Sequence, residues 1–260
     1  MKTNKQHPTL AVAMIVKNEA KNLQECLASV SGWVDEIVVL DSGSSDETVA
    51  IAESFNACVF VNAEWPGFGK QRQLAQSHVQ SDWVLWLDAD ERVSEELRDE
   101  ILAVLQNPPT NTVFAMPRLS WAFGRFIHHL GWYPDHVLRL YPTRLTQYDD
   151  SLVHEKVCIP AGVQTQILKA NLLHYTYRDM PQYLAKMGHY ASLWATQKAA
   201  AGKRSSIPSA ILHGIGCFVR MYILRRGFLD GAQGLLIALT NAYFTFAKYA
   251  DLWVRNKQKP

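Results

Sequence analysis

The chain has 260 residues, 48% hydrophobic and 19% charged, so it can bury a core and is not a disordered protein. Its 26 basic and 24 acidic residues give a net charge of +2, which argues against a nucleic-acid partner. The charge is uneven. Residues 203–260 contain nine basic and two acidic residues, a net +7, which leaves −5 for residues 1–202.

The four cysteines are far apart and form no C-x-x-C pair, which predicts reduced thiols and neither disulfides nor a zinc site. Residues 1–8 are polar and lack the apolar stretch of a signal peptide. Together these features predict a cytoplasmic location.

Four apolar runs alternate with helical patterns in residues 9–105. The runs, at 9–16, 36–40, 58–61 and 83–87, are almost continuously apolar, which is typical of parallel strands buried on both faces. Helical spacing follows each run, and Ser94 is placed to cap the fourth helix. This order predicts an α/β fold with a doubly wound, mostly parallel sheet.

The pattern changes after residue 109. Short strands are predicted at 113–117, 136–141, 153–157 and 172–174, with an aromatic, basic loop at 121–133. From residue 180 the chain reads as helical to its end, with breaks near 202–208 and 227. We therefore predict a domain at 1–178, made of parts 1–105 and 106–178, and a helical C-terminal region at 179–260.

Polar residues interrupt the chain where the predicted strands end, and ligands of such sheets bind beyond these carboxyl ends. Asp88 and Asp90 are separated by one residue, and two such carboxylates suit Mg²⁺ or Mn²⁺ shared with phosphate oxygens. The alternative is a pair of solvated turn acids together with Glu91. Their position at the predicted ligand edge favours the metal site.

Asp41 ends the second apolar run and opens a turn rich in Ser and Gly. Its carboxylate there is placed to accept hydrogen bonds from a bound nucleotide. The alternative is an acid that caps its own turn, at residues 42–45. The sequence leaves both open.

In this order and spacing, three segments resemble family 2 glycosyltransferases with the GT-A fold: AMIVKNEAKNLQECLASV, EIVVLDSGSSDETVAIAE and WVLWLDADERVSEEL. Three later segments, GWYPDHVLRLYP, LVHEKV and GFLDGAQGLLIAL, resemble lipopolysaccharide inner-core β-1,4-glucosyltransferases. That resemblance implies a hexosyltransferase that moves glucose from UDP-glucose to a core heptose. It also implies inversion and dependence on Mg²⁺ or Mn²⁺. The Gln-x-x-Arg-Trp signature of processive members is absent from the sequence.

The resemblance further implies that residues 1–105 bind the nucleotide sugar. Donor contacts are expected from Glu19, Asp41, Lys70, Arg72 and Asp88, and metal contacts from Asp88 and Asp90. The alternative for the two basic residues is an ordinary solvated helix start. Lys17 stands where many members have Tyr, so we expect no base stacking there.

Inverting transfer needs a general base for the acceptor hydroxyl. The family supplies an Asp or Glu from beyond the Asp-x-Asp triplet, and our candidate is Glu155, with Asp149 and Asp150 as rivals. The alternative is a solvated carboxylate on an edge strand.

Residues 106–178 are expected to bind the acceptor, because aromatic faces pack on sugar rings and Arg pairs with phosphate. The alternative is a flap whose aromatic rings pack the core. The nearby histidines are not spaced as a zinc site. The acceptor-binding candidates are Arg125, Trp132, Tyr133, Asp135, Arg139 and His154.

The basic tail contains two long apolar stretches, 211–222 and 231–247. The second lacks charges but falls short of the ~20 apolar residues that span a bilayer. We expect amphipathic helices on the inner leaflet of the cytoplasmic membrane, hence a peripheral membrane enzyme with a lipid-linked acceptor. The alternatives are a spanning helix, or a helical cap that packs on the sheet or forms a dimer.

Two other functions stay open. One is a glycosyltransferase that acts on polyprenyl phosphate or another acceptor. The other is a non-catalytic nucleotide-sugar-binding membrane protein.

Overall fold

A computed structural model describes residues 7–258. Residues 1–6, most of the polar start, lie outside the described residues, as does Lys259 of the basic tail. The chain divides into two compact units. The first comprises the chain up to Arg118 together with Asp135–His174, and the second comprises Leu119–Pro134 and the chain from Tyr175 onward.

The first unit is built on a mixed sheet with the strand order β3-β2-β1-β4-β8-β6-β10-β5. Strands β3, β2, β1 and β4 are parallel, and β8 joins β4 in the antiparallel sense. The strands of the described chain, of which β7 belongs to the second unit, are β1 (Leu10–Val16), β2 (Glu36–Asp41), β3 (Cys58–Val61), β4 (Trp83–Trp86), β5 (Glu91–Val93), β6 (Thr112–Ala122), β7 (Arg125–Phe126), β8 (Asp135–Pro142), β9 (Gln164–Ile167) and β10 (Leu172–Tyr177).

Four helices cover both faces of the parallel strands. Val12 and Met14 of β1 pack in one apolar cluster with residues of α1, α2 and α4, whereas Ala13 packs in another with Ala75 of α3. Alternate residues of one strand therefore serve two layers of helices, as the continuous apolar runs predict. The helices are α1 (Ala20–Ala28), α2 (Thr48–Ser54), α3 (Phe68–Ser77) and α4 (Glu95–Gln106). This arrangement confirms the predicted α/β fold class.

The strand predicted at 153–157 is wrong. That segment is an irregular loop with one isolated bridge, between Tyr148 and Val157, and His154 has a φ of 59°. The loop bends because its backbone oxygens accept from the first amides of α3: Phe68 N donates to Leu152 O, and Gly69 N donates to Ser151 O. Strands β5, β7 and β9 are additional to the prediction, and β7 lies within the predicted loop at 121–133. Strand β1 lies between the strands that end at Asp41 and Trp86.

The second unit is mainly helical. It contains α5 (Met180–Ala200), α6 (Ile207–Phe218), a π-helical turn (Val219–Leu224), a 3-10 turn (Gly227–Asp230) and α7 (Gly231–Gln258). Residues 119–134 and 175–178, expected in the acceptor part, belong to this unit. The charge-free stretch at 231–247 is the first part of α7, and Ile237, Ala238 and Phe244 in it are buried.

Candidate active site

Asp88 follows β4 and is held by two guanidinium groups. Arg72 Nη2 donates to its Oδ1 at 2.7 Å, and Arg139 Nη2 donates to its Oδ2. Burial would raise the pKa of Asp88, but the charges of Arg139 and Arg72 outweigh it and hold this pKa well below its usual range. The Asp88 side chain stays one-third exposed, so it is held in place and still faces solvent.

Arg72 of α3 joins Asp88 to the candidate base. Its Nε donates to Glu155 Oε1 at 2.8 Å, and its guanidinium carbon lies 5.1 and 5.0 Å from the ring centroids of Trp86 and Tyr148. Only 4% of Arg72 is exposed. The alternative of a solvated helix start therefore does not describe Arg72. It describes Lys70, whose exposed ammonium lies 4.0 Å from Asp150. The donor contacts of both residues stay predictions.

Arg139 extends the same network in the other direction. Its Nη2 also donates to Glu91 Oε1 at 3.0 Å, and Arg118 pairs with both Glu91, at 3.4 Å, and Asp135, at 2.6 Å. Acids and arginines thus alternate in one ionic chain, which runs through Asp135, Arg118, Glu91, Arg139, Asp88, Arg72 and Glu155.

Glu91 contradicts the alternative of a solvated turn acid, because it is completely buried on β5. It also accepts a hydrogen bond from the Asp88 amide at 2.9 Å. Two acceptor-site candidates, Asp135 and Arg139, are members of the ionic chain. Arg139 is buried and pairs with Asp88 and Glu91. The acceptor role of Asp135 and Arg139 stays a prediction.

Asp90 lies beside a histidine that the sequence did not single out. His174 Nε2, on β10, is 3.3 Å from Asp90 Oδ2, and both side chains are partly exposed. Glu19 is close enough to matter electrostatically. Burial raises the pKa of Glu19, and the charges of Asp90 and Asp88 raise it further. Glu19, Asp88 and Asp90 therefore lie close enough together to interact electrostatically.

Asp90 and His174 would supply two donors to a cation. Among residues 7–258, no group of three or more His, Cys, Asp or Glu is arranged to hold a metal ion. Mg²⁺ commonly takes only one or two carboxylates and completes its shell with water and phosphate oxygens. The donor set therefore fits a cation shared with a diphosphate. Asp88 fits less well, because both of its oxygens already accept from arginine.

Asp41 is committed to its own turn. Its Oδ2 accepts from the amides of Gly43 and Ser44 at 2.9 Å each, and its Oδ1 accepts from the Ser44 hydroxyl. Only 2% of the residue is exposed. This geometry matches the turn-capping alternative. The role of Asp41 in nucleotide binding stays a prediction.

The three candidate bases occupy different surroundings. Asp149 Oδ1 accepts from the amides of Ser151 and Lys156 and so caps its own loop, and Asp150 is a largely exposed partner of Lys70. Of the three carboxylates, only Glu155 is joined to the Asp88 network. Its side chain is 13% exposed. His154 next to it points into the exposed part of the loop.

The remaining acceptor candidates, Arg125, Trp132 and Tyr133, belong to the second unit. Trp132 is half-buried against an apolar cluster, with its ring 6.1 Å from that of Tyr177. Tyr133 makes an edge contact with His128 at 5.7 Å. The packing alternative thus describes Trp132 well, and the acceptor role of all three stays a prediction.

Comparisons with known proteins agree with the resemblance seen in the sequence. The model of Glycosyl transferase family 2 matches residues 11–172. An uncharacterized glycosyltransferase of Rickettsia felis is 29% identical over 94% of this chain and 89% of its own length. The lipopolysaccharide core biosynthesis glycosyltransferase LpsC of Rhizobium meliloti is 28% identical over 96% of this chain and 94% of its own length.

Solved structures with a similar fold include S. aureus TarS 1–349 in complex with UDP-GlcNAc. It is 14% identical, with a TM-score of 0.48, and the match covers 96% of this chain and 90% of that one. Glucosyl-3-phosphoglycerate synthase of Mycobacterium tuberculosis, in complex with Mn²⁺, UDP and glucosyl-3-phosphoglycerate, is 18% identical with a TM-score of 0.47. That match covers 76% of this chain and 82% of that one.

The ionic chain includes Asp88 but not Asp90, so we expect the loss of each carboxylate to change the stability of the protein by a different amount. Asp88→Asn leaves the buried guanidiniums of Arg72 and Arg139 with one carboxylate each, and we expect it to lower the free energy of unfolding by about 1–3 kcal/mol. Asp90→Asn removes only a partly exposed partner of His174 and should change the free energy of unfolding by less than about 0.5 kcal/mol. Urea denaturation at pH 7 measures both values.

The pH dependence of the free energy of unfolding tests the contribution of Asp88 in a second way. Because the pKa of Asp88 is lower in the folded state, its ion pairs stabilise fully above its unfolded pKa of about 3.9, and this stabilisation is lost as the pH falls below that value. The difference in stability between wild type and Asp88→Asn should shrink below about pH 4. Equal losses of unfolding free energy for Asp88→Asn and Asp90→Asn at pH 7 would contradict the stabilising role of Asp88 in the ionic chain.

Proposed function

The chain belongs to glycosyl transferase family 2, and we propose that it transfers glucose from UDP-glucose to a heptose of the lipopolysaccharide inner core, with inversion. The observation that most supports this proposal is the Arg72 guanidinium, which ties Asp88 of the Asp-x-Asp triplet to Glu155. A donor-site acid and a candidate base are thereby held in one rigid arrangement. The LpsC relative supports a core saccharide as acceptor.

The donor would lie at the carboxyl ends of β1, β2 and β4. The exposed third of Asp88 faces this edge, and Glu19 and the Asp41 turn border it. Lys70 is exposed and available to an anionic group. Arg72 is buried, so it acts on the donor by positioning Asp88.

A divalent cation, Mg²⁺ or Mn²⁺, would be held by Asp90 with His174. When bound, such an ion neutralises the negative charge that develops on the departing diphosphate. The imidazole of His174 favours Mn²⁺ over Mg²⁺, since Mg²⁺ prefers oxygen donors almost exclusively. Glu19 adds negative potential at the same place, because its carboxylate lies near Asp90.

Glu155 would act as the general base. Arg72 Nε fixes its Oε1, and within the described part of the chain its Oε2 has no hydrogen-bond partner. That oxygen can accept the proton of an acceptor hydroxyl as the hydroxyl attacks the anomeric carbon. Fixing the base before the substrate binds lowers the entropic cost of reaching the reactive geometry.

The helical second unit would attach the enzyme to the inner leaflet of the cytoplasmic membrane. Within residues 7–258, one helical segment, Ile207–Leu224, is long and apolar enough to cross a bilayer by length and composition. It has 18 residues, fewer than the ~20 that span comfortably. A helix on the membrane surface, flanked by Arg and Lys, agrees better with this length and with the basic tail.

Purified full-length protein tests this proposal when UDP release is measured with a panel of UDP-sugars, Mn²⁺ and a heptose-bearing core acceptor. We expect UDP-glucose to be preferred. Glu155→Gln should lower kcat by about 10²–10⁴-fold with little change in the KM for UDP-glucose, because the base acts only in the chemical step.

Asp150→Asn is the matched control, since it removes a carboxylate of the same loop that is exposed and pairs with Lys70 instead of Arg72. Its kcat should stay within about twofold of wild type. A large loss in Asp150→Asn with an active Glu155→Gln would assign the base elsewhere. If glucose were transferred to polyprenyl phosphate and not to the core saccharide, polyprenyl phosphate would replace the core heptose as the proposed acceptor.

Cation binding can be measured separately from turnover. We expect Asp90→Asn and His174→Ala each to weaken Mn²⁺ binding in the presence of UDP by at least about tenfold, because each removes a ligand. Electron paramagnetic resonance of free Mn²⁺ gives the affinity. His136→Ala, an exposed histidine on β8, is the control. Unchanged Mn²⁺ affinity in both variants would contradict the proposal that Asp90 and His174 bind the cation.

A further inference from the structure

Two segments of the second unit interlock through a reciprocal arrangement of Arg and Gly. Segment 125–131 and segment 225–231 each begin with Arg and end with Gly. A Cβ atom on Gly131 would lie 1.9 Å from Arg225 Nη1, and one on Gly231 would lie 3.0 Å from Arg125 Nη1. Each arginine head therefore rests against the glycine that ends the other segment.

Asp230 locks the two segments together. Its buried carboxylate accepts from the amides of His128 and His129, at 3.1 and 2.9 Å, and lies 3.1 Å from His129 Nδ1. Leu130 N also donates to Arg225 O at 3.1 Å. The segments thus form one fixed surface, which we call the arginine cradle.

The positive charge of the arginine cradle is not neutralised. Among residues 7–258, no carboxylate lies within ion-pairing distance of Arg125, Arg225 or Arg226. Asp230 is the one acid in the two segments, and its oxygens are used within the cradle. Planar guanidinium groups match phosphate oxygens in a bidentate way, so an anionic phosphate is the ligand that this surface fits.

Large apolar side chains adjoin these arginines in the chain. Leu224, Phe228 and Leu229 are 72%, 47% and 51% exposed, and they flank Arg225 and Arg226. Apolar side chains next to arginines, on a surface without free carboxylates, are typical of segments that enter the interface of an anionic bilayer. A free phosphate would leave the apolar side chains without a role.

We propose that the arginine cradle, with Leu224, Phe228 and Leu229, binds the headgroup phosphates of anionic phospholipids at the membrane surface. This inference rests on the membrane attachment in the proposed function and names the surface that makes it. A symmetric dimer through the same surface would bring like-charged arginines together, and their repulsion argues against a second copy of the chain as the ligand of the cradle. Segment 125–131 contains the acceptor candidate Arg125, and membrane contact would hold this residue at the bilayer.

Vesicle co-sedimentation of the full-length protein tests the proposal without any substrate. We expect binding to vesicles of phosphatidylcholine mixed with phosphatidylglycerol and at least about tenfold weaker binding to phosphatidylcholine alone. Arg125→Gln with Arg225→Gln, and separately Phe228→Ser with Leu229→Ser, should each weaken binding to the anionic vesicles by about tenfold or more. Arg125→Lys with Arg225→Lys should retain most of the binding.

Lys203→Gln with Arg204→Gln removes the same charge from an exposed site outside the cradle and should have less than about a threefold effect. Thermal melting by circular dichroism confirms that each variant is folded. Equal losses in the two glutamine pairs, unchanged binding in the Arg125/Arg225 pair, or a concentration-dependent dimer in place of vesicle binding would overturn the proposal. If the wild-type protein bound anionic vesicles but transferred no glucose to the core acceptor, this would count against the proposed function alone.

Discussion

Three arginines constrain the first unit: Arg72 and Arg139 are buried, and Arg118 is partly exposed. Arg118, Arg139 and Arg72 lie between four acids, and each guanidinium contacts two of them. An unpaired charge inside a protein costs several kcal/mol, so none of these arginines tolerates the loss of its partners. The ionic chain therefore fixes α3, β5, β6, β8 and the loop of Glu155 relative to the end of β4. The apolar layers build the sheet, and the ionic chain fixes the charged side chains at the end of β4.

This constraint has a chemical consequence, because Asp88 and Glu155 share one guanidinium. Neither carboxylate can move without disturbing the other through Arg72. The faces of Trp86 and Tyr148 hold that guanidinium from its sides, so its orientation is set by packing as well as by charge. A site preorganised in this way suits a reaction whose catalysis depends on positioning groups around a developing charge.

Local patterns predicted the parts of the structure that depend on local physics. Strands buried on both faces leave continuous apolar runs, so β1 to β4 and the alternation with helices could be read from the sequence. The partners of Glu91 could not, because Arg118 and Arg139 lie 27 and 48 positions away. Arg72 and Glu155 are separated by 83 positions. The loop of Glu155 resembles a strand in sequence and is bent by the amides of α3, a tertiary effect.

The central claim is that Arg72 couples Asp88 to Glu155, and a double-mutant cycle on the free energy of unfolding measures that coupling most directly. Asp88→Asn and Glu155→Gln should be non-additive by more than about 0.5 kcal/mol, although the two carboxylates are bridged only through Arg72. The non-additivity should vanish when the same cycle is repeated in an Arg72→Met background. Additive effects in wild type, or coupling that persists without Arg72, would contradict the account.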